Sequence, residues 1–196
     1  SWLLASSLDY SATLERVAQL ALPSFADWSM VDVLEEDHSS RRVVVAHFDP
    51  AKARLAEALR TRFPPNEEAP AGAGRVLVDG KSELLADLEP ALLRQIAGSE
   101  EHFEVLQALG ARSAVIVPLT ARGKRLGAFS LVYGDSGRRY GEAELALAED
   151  LGCRAALAVD NARLYLRTRE AVQARDEFLS IASHELRTPV TSLQLA

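Results

Sequence analysis

The sequence predicts an α+β fold, an antiparallel sheet flanked by helices with a long helix leaving it on the C-terminal side. Three observations carry that prediction. Two β-branched runs, Trp28 to Leu34 and Arg42 to Phe48, are separated by the polar stretch Glu35-Glu-Asp-His-Ser-Ser40 and read as paired antiparallel strands. A second alternating pair, Ser113 to Thr120 and Arg125 to Tyr133, is joined by a turn containing Gly123 and reads as a hairpin. From Gly141 to Pro189 only Gly152 interrupts a helical pattern, so one long helix is expected there.

The other elements follow in order. Ser11 to Leu22 carries Leu14, Val17, Ala18, Ala21 and Leu22 at helical spacing, and Pro23 ends it. Ala51 to Arg62 is helical in composition. The segment Pro64-Pro-Asn-Glu-Glu-Ala-Pro-Ala-Gly72-Ala-Gly74 is a loop by its local signals, and Arg75 to Val78 reads as a short strand. Two helical patches follow, Pro90 to Ala97 and Glu100 to Leu109. Gly141 is placed to cap the long helix, with Glu144 closing half of a capping box.

Composition bounds the function. The 196 residues are 48% hydrophobic and 26% charged, which suits a globular protein with a real core. The net charge is −6 and no basic tract exists, which argues against nucleic acid as a partner. The single cysteine, Cys153, excludes an internal disulfide framework and suits a reducing cytoplasm, the expected location. No apolar run approaches the roughly 20 residues of a membrane span. The chain begins at Ser1 and stops at Ala196 inside a helical pattern. It reads as part of a longer protein, whose membrane attachment could lie outside these residues.

The chemistry concentrates near the C-terminus, in Phe178-Leu-Ser-Ile-Ala-Ser-His184-Glu185-Leu186-Arg187-Thr188-Pro189. A neutral imidazole keeps a nucleophilic lone pair near pH 7 and is a good phosphoryl acceptor. Glu185, the next residue, can hydrogen-bond the other ring nitrogen and steady the positive charge that develops on transfer. Thr188 lies four residues on, about one helical turn away on the same face. A lone histidine on a charged helix is ordinarily a solvated surface residue; the run His-Glu-Leu-Arg-Thr-Pro, with apolar spacing on both sides, reverses those odds.

That box resembles the phosphoacceptor motif of two-component sensor histidine kinases. The resemblance implies that His184 is the phosphoacceptor, Glu185 its acid/base partner, and Thr188 the residue orienting the water for phosphatase activity. It also implies a homodimer, a response regulator as partner, and an ATP-binding kinase domain of the same protein supplying ATP and Mg²⁺. That domain and the returning second helix of the bundle are missing from these residues, so the chain by itself is expected to be inactive as a kinase. Pro189 is expected to kink the helix just after His184.

The preceding region resembles a GAF domain, a ligand-sensing relative of the PAS fold. The likeness lies in Ser113-Ala-Val-Ile-Val-Pro118-Leu, in Arg125-Leu-Gly127-Ala-Phe-Ser-Leu-Val, and in the exit from Glu144 to Tyr165. It covers about residues 8–165, leaving 166–196 as a signalling helix and the first part of the dimerisation and phosphoacceptor domain. Stepping by three and four gives a heptad stripe of Leu151, Ala155, Ala158, Ala162, Tyr165, Val172, Leu179, Leu186, Val190 and Leu193, interrupted at Arg169, Asp176 and Ser183. Such a seam suits a switchable parallel dimer, while Leu145 to Ala162 can also pack on the domain's own sheet.

Several weaker constellations have ordinary structural readings. Gly72-Ala-Gly74 lacks the third glycine of a dinucleotide loop, and strand residues are expected after it where a helix should stand. Cys153 could hold a bilin, but on the exit helix it reads as a small buried hydrophobe. His38, His47 and His102 show no metal-ligand spacing, and no metal site is expected. Only His102 lies in the pocket-forming middle segment, where haem ligation through it is the less favoured reading. No cofactor is assigned and the ligand is unknown; a small molecule would sit between the sheet and residues 63–109, near Phe103. The alternative to a kinase sensor is a non-catalytic GAF module for small-molecule binding, regulation or dimerisation; a further rival is a degenerate kinase serving as a dimeric scaffold.

Overall fold

The computed structural model describes the backbone of residues 12–193 except residue 36, and the side chains of 12–179 with the same exception. The chain forms two compact units, residues 1–160 and 161–196. The first holds a five-stranded sheet in the order β2-β1-β5-β4-β3, antiparallel throughout. The strands are β1 (Trp28–Leu34), β2 (Ser40–His47), β3 (Glu83–Leu85), β4 (Ser113–Ala121) and β5 (Lys124–Tyr133). The helices are α1 (residues 12–20), α2 (Ala53–Arg62), α3 (Ala73–Asp79), α4 (Pro90–Ala97), α5 (Glu100–Leu109) and α6 (Glu142–Leu193).

Helices cover both faces of the sheet, which is why β1 is apolar without simple alternation. Val31 and Val33 point to one core with Leu14, Val17 and Ala18 of α1 and Ala148, Ala155, Ala156 and Val159 of α6. Trp28 and Met30 point to the other, with Leu59 of α2, Val76 and Leu77 of α3, Leu93 of α4, and Phe103 and Leu106 of α5. The first core explains Gly152. A Cβ built there would lie 2.6 Å from Val117 Cγ2, so α6 reaches β4 only because this residue lacks a side chain.

Local signals set most boundaries. Pro90 opens α4 and Gly98 closes it in the left-handed conformation; Ser99 then caps α5 by accepting from the His102 backbone N–H at 3.2 Å. Gly141 donates its N–H to the Glu144 carboxylate at 2.9 Å, the half capping box expected at the start of α6.

One expectation about the elements needs correction. Arg75 to Val78 is not a strand but the body of α3. Gly72, at φ +97°, turns the chain into that helix, and Gly80 ends it at φ +70°. The run Val76-Leu-Val78 is too short for periodicity to separate helix from strand. As the stripe to Leu193 requires, α6 runs on through Pro189 to Leu193. Among the described residues, no helix is long and apolar enough to cross a membrane.

Candidate functional site

The face of the sheet under α3, α4 and α5 holds a partly open cavity of about 50 Å³. Strand register builds its floor. Trp28 sits opposite Val132 and Met30 opposite Ser130 across β1 and β5, while Ser130 also faces Ile116 on β4. Side chains two apart on one strand share a face, so Trp28, Met30, Ser130, Val132, Ala114 and Ile116 point the same way. The roof comes from Leu93 and Ile96 of α4, His102 and Leu106 of α5, and the turn from Ala71 to Gly74.

One charged side chain lines the cavity, and its charge is matched. Arg42 donates from Nε to Asp32 Oδ1 at 2.8 Å and from Nη2 to Oδ2 at 3.4 Å, with Nη1 on the Phe63 carbonyl at 2.8 Å. Both partners are buried, and they are register neighbours on β1 and β2. Burial pushes the Asp32 carboxyl up, while the Arg42 guanidinium opposes that shift. The ion pair anchors the edge strand to the loop after α2, and it leaves the cavity without net charge.

His102 is the titratable group of the roof. Its Nδ1 lies 2.7 Å from the Ala97 carbonyl oxygen, which can only accept, so Nδ1 carries the proton and Nε2 bears a lone pair. The Phe63 ring stacks on the imidazole at 4.6 Å and 8°. Burial, with the nearby Arg42 charge adding to it, pushes the imidazole pKa down to about 4, so the ring is neutral at pH 7. Three buried polar atoms on this lining find no hydrogen-bond partner among the described residues: Trp28 Nε1, His102 Nε2 and Ser130 Oγ. Native proteins rarely leave such groups unmatched, which marks this cavity out.

The Gly72 turn is settled differently from the sequence reading. A helix, not a strand, follows Gly72-Ala-Gly74, so of the two grounds against an anion loop only the missing third glycine stands. The Glu83 carboxylate nevertheless accepts the Gly72 N–H at 2.7 Å, and this internal carboxylate already serves the start of α3.

Other expected residues lie elsewhere. Cys153 is exposed on α6, on the side of the sheet away from the cavity, and is not the buried hydrophobe expected. Phe103 belongs to the core under α5, with Arg94 over its ring at 4.1 Å, while its neighbour His102 reaches the cavity. His184, Glu185 and Thr188 fall on the backbone of α6, but their side chains lie outside the described residues. Trp28, Ser130 and the Asp32–Arg42 pair were not anticipated. The signal that could have found the pair is a carboxylate in mid-strand in an apolar run, with an arginine on the strand beside it.

On the α6 segment from Asn161 onward, apolar side chains stay exposed: Leu164, Tyr165, Val172, Phe178 and Leu179. With Ala171 they form apolar pairs at seven-residue spacing, 164/165, 171/172 and 178/179. Of the heptad positions within the first unit, Ala155 is buried in the core beside the sheet, and Ala158 is exposed.

A five-stranded antiparallel sheet covered by helices on both faces, with a small cavity under one of them and a long exit helix, defines a regulatory sensor module. The chain belongs to the GAF domain family, whose model matches residues 7–160. GAF domains serve as sensor modules in histidine kinases and in other proteins. No curated protein matches the sequence. Among solved structures, the second GAF domain of DevS from Mycobacterium smegmatis aligns at 22% identity with a TM-score of 0.59, covering 81% of this chain and 99% of that one. A domain of a protein provisionally named a two-component sensor histidine kinase, from Sinorhizobium meliloti 1021, aligns at 19% identity and a TM-score of 0.54, covering 82% and 94%. A GAF domain/HD domain protein from Geobacter sulfurreducens aligns at 18% and 0.59, covering 80% and 96%. At these identities the likeness shows the fold.

Proposed function

We propose that the chain is the GAF sensor and the start of the phosphoacceptor region of a two-component histidine kinase. The observation that carries this is the His184-Glu185-Leu186-Arg187-Thr188-Pro189 box, set on the same helix that leaves the GAF domain. The resemblance of the Sinorhizobium domain to this fold is in keeping with it. His184 accepts the γ-phosphoryl group of ATP and passes it to an aspartate of a response regulator. Glu185 holds the imidazole tautomer and moves the proton at the other ring nitrogen. Thr188, one turn on, orients the water that hydrolyses the regulator's phospho-aspartate. An ATP-binding domain outside these residues supplies ATP and Mg²⁺.

Dimerisation belongs to this reading. Among the described residues nothing covers the exposed apolar pairs of α6, and a second copy in parallel register would cover them. Signals would then pass from the GAF cavity to His184 as a change in this helix pair. The alternative is a GAF module feeding a non-kinase output, as the name of the Geobacter neighbour illustrates for that protein. The two readings separate in the intact protein incubated with radiolabelled ATP. The kinase reading expects an acid-labile phosphate that His184→Ala removes; label retained in that variant would refute it.

A further inference from the structure

The three unmatched atoms of the cavity describe a ligand. Trp28 Nε1 can only donate, His102 Nε2 can only accept while Nδ1 is bonded to Ala97, and Ser130 Oγ can do either. All three residues are at least nine-tenths buried, with Trp28 1%, His102 5% and Ser130 0% exposed. Trp28 and Ser130 are diagonal neighbours on adjacent strands, roughly 7–8 Å apart at their backbones, and His102 faces them from α5. The remainder of the wall is apolar, chiefly Met30, Leu93, Leu106, Ile116 and Val132.

Charge and size narrow the class. Arg42 is paired with Asp32, so an anion entering here would be stripped of water without a free cation to meet it. A cavity of about 150 Å³ holds a six-carbon ring, so the room here, about 50 Å³, suits about two to four heavy atoms. Haem, bilins and nucleotides need sites of roughly 300 Å³ or more. They exceed this cavity several-fold.

We propose that the cavity takes an uncharged molecule of about three heavy atoms, a small amide or hydroxy compound, that accepts from Trp28 Nε1 and donates to His102 Nε2. Ser130 Oγ completes the set by bonding whichever group remains. This rests on the sensor reading above for its biological use, but its chemistry stands on the cavity alone.

Formamide and formate are suitable probes, because they are nearly isosteric and differ in charge and in the N–H donor. In ¹⁵N-labelled protein, the Trp28 indole N–H signal is assigned by its loss in Trp28→Phe, since Trp2 is the only other tryptophan. Formamide should shift that signal and the His102 Nε2 resonance saturably, and formate at equal concentration should move neither. Ser130→Ala should weaken formamide binding roughly tenfold, the loss of one buried hydrogen bond. An indole signal that formamide leaves unmoved, or that formate shifts equally, would overturn the proposal in the wild-type protein without reliance on any variant. Formamide binding that leaves His184 phosphorylation unchanged in the intact protein would uphold this ligand chemistry while counting against the sensor reading.

Discussion

Acidification should expose the cost of burying His102. Its imidazole falls from the ordinary 6.5 to about 4 in the folded chain, chiefly through burial, so between those values the unfolded chain binds a proton that the native one refuses. Stability is therefore full above about pH 6.5 and declines as pH falls toward 4. The whole window is worth about 3 kcal/mol, and about 2 kcal/mol of it is gone by pH 5. Urea unfolding of wild type and His102→Gln at pH 7.5, 6 and 5 isolates this contribution. The glutamine amide does not titrate and can still donate to the Ala97 carbonyl. Wild type should lose about 2 kcal/mol more than the variant between pH 7.5 and 5. His47, also shifted down by burial and by Lys52, is common to both proteins and cancels. Equal pH slopes in the two proteins, or a His102 ring signal titrating near 6.5, would refute the neutral buried imidazole.

Further outcomes follow from packing and from the proposed output. Gly152→Ala should destabilise the domain by about 1–2 kcal/mol despite a better helix propensity, because the new methyl meets Val117, and Val117→Ala should recover most of that loss in thermal unfolding. Tyr165→Asp should weaken the dimer more than Arg163→Asp in sedimentation, since Tyr165 lies on the exposed apolar stripe and is 59% exposed. A monomer well above micromolar concentration would refute the proposed dimer. Thr188→Ala should spare autophosphorylation while reducing phosphatase activity roughly tenfold, the effect of losing one water-orienting hydrogen bond.

The fold was largely legible because its punctuation is strong. Pro90, Gly98, Ser99 and Gly110 mark the ends of α4 and α5 by geometry that few other residues supply. Strand β1 shows as a run rich in β-branched residues, and β4 and β5 show as alternating segments joined at Gly123. Where the signal was short it failed. β3 has three residues and no turn chemistry of its own, and it exists because β4 offers it an edge. α3 was mistaken because Val76-Leu-Val78 favours a strand locally, while Gly72, Gly80 and the Glu83 carboxylate impose a helix through contacts formed only in the folded chain. The cavity was harder still. His102 could be singled out by its segment, but Trp28 and Ser130 become neighbours only through the pairing of β1 with β5, a separation no local pattern encodes.

The proposed control of His184 phosphorylation by the GAF cavity can be probed by filling the cavity. Ala114 is buried on β4, lines the void and sits opposite Val132; Ala114→Val adds two methyl-sized groups and keeps a strand-favouring residue. In the intact protein, with folding checked by thermal unfolding, the rate of ATP-dependent phosphorylation of His184 is measured for both forms. The expected change is roughly fivefold or more, corresponding to about 1 kcal/mol of coupling between cavity and helix. A folded Ala114→Val protein that phosphorylates His184 at the wild-type rate would contradict it.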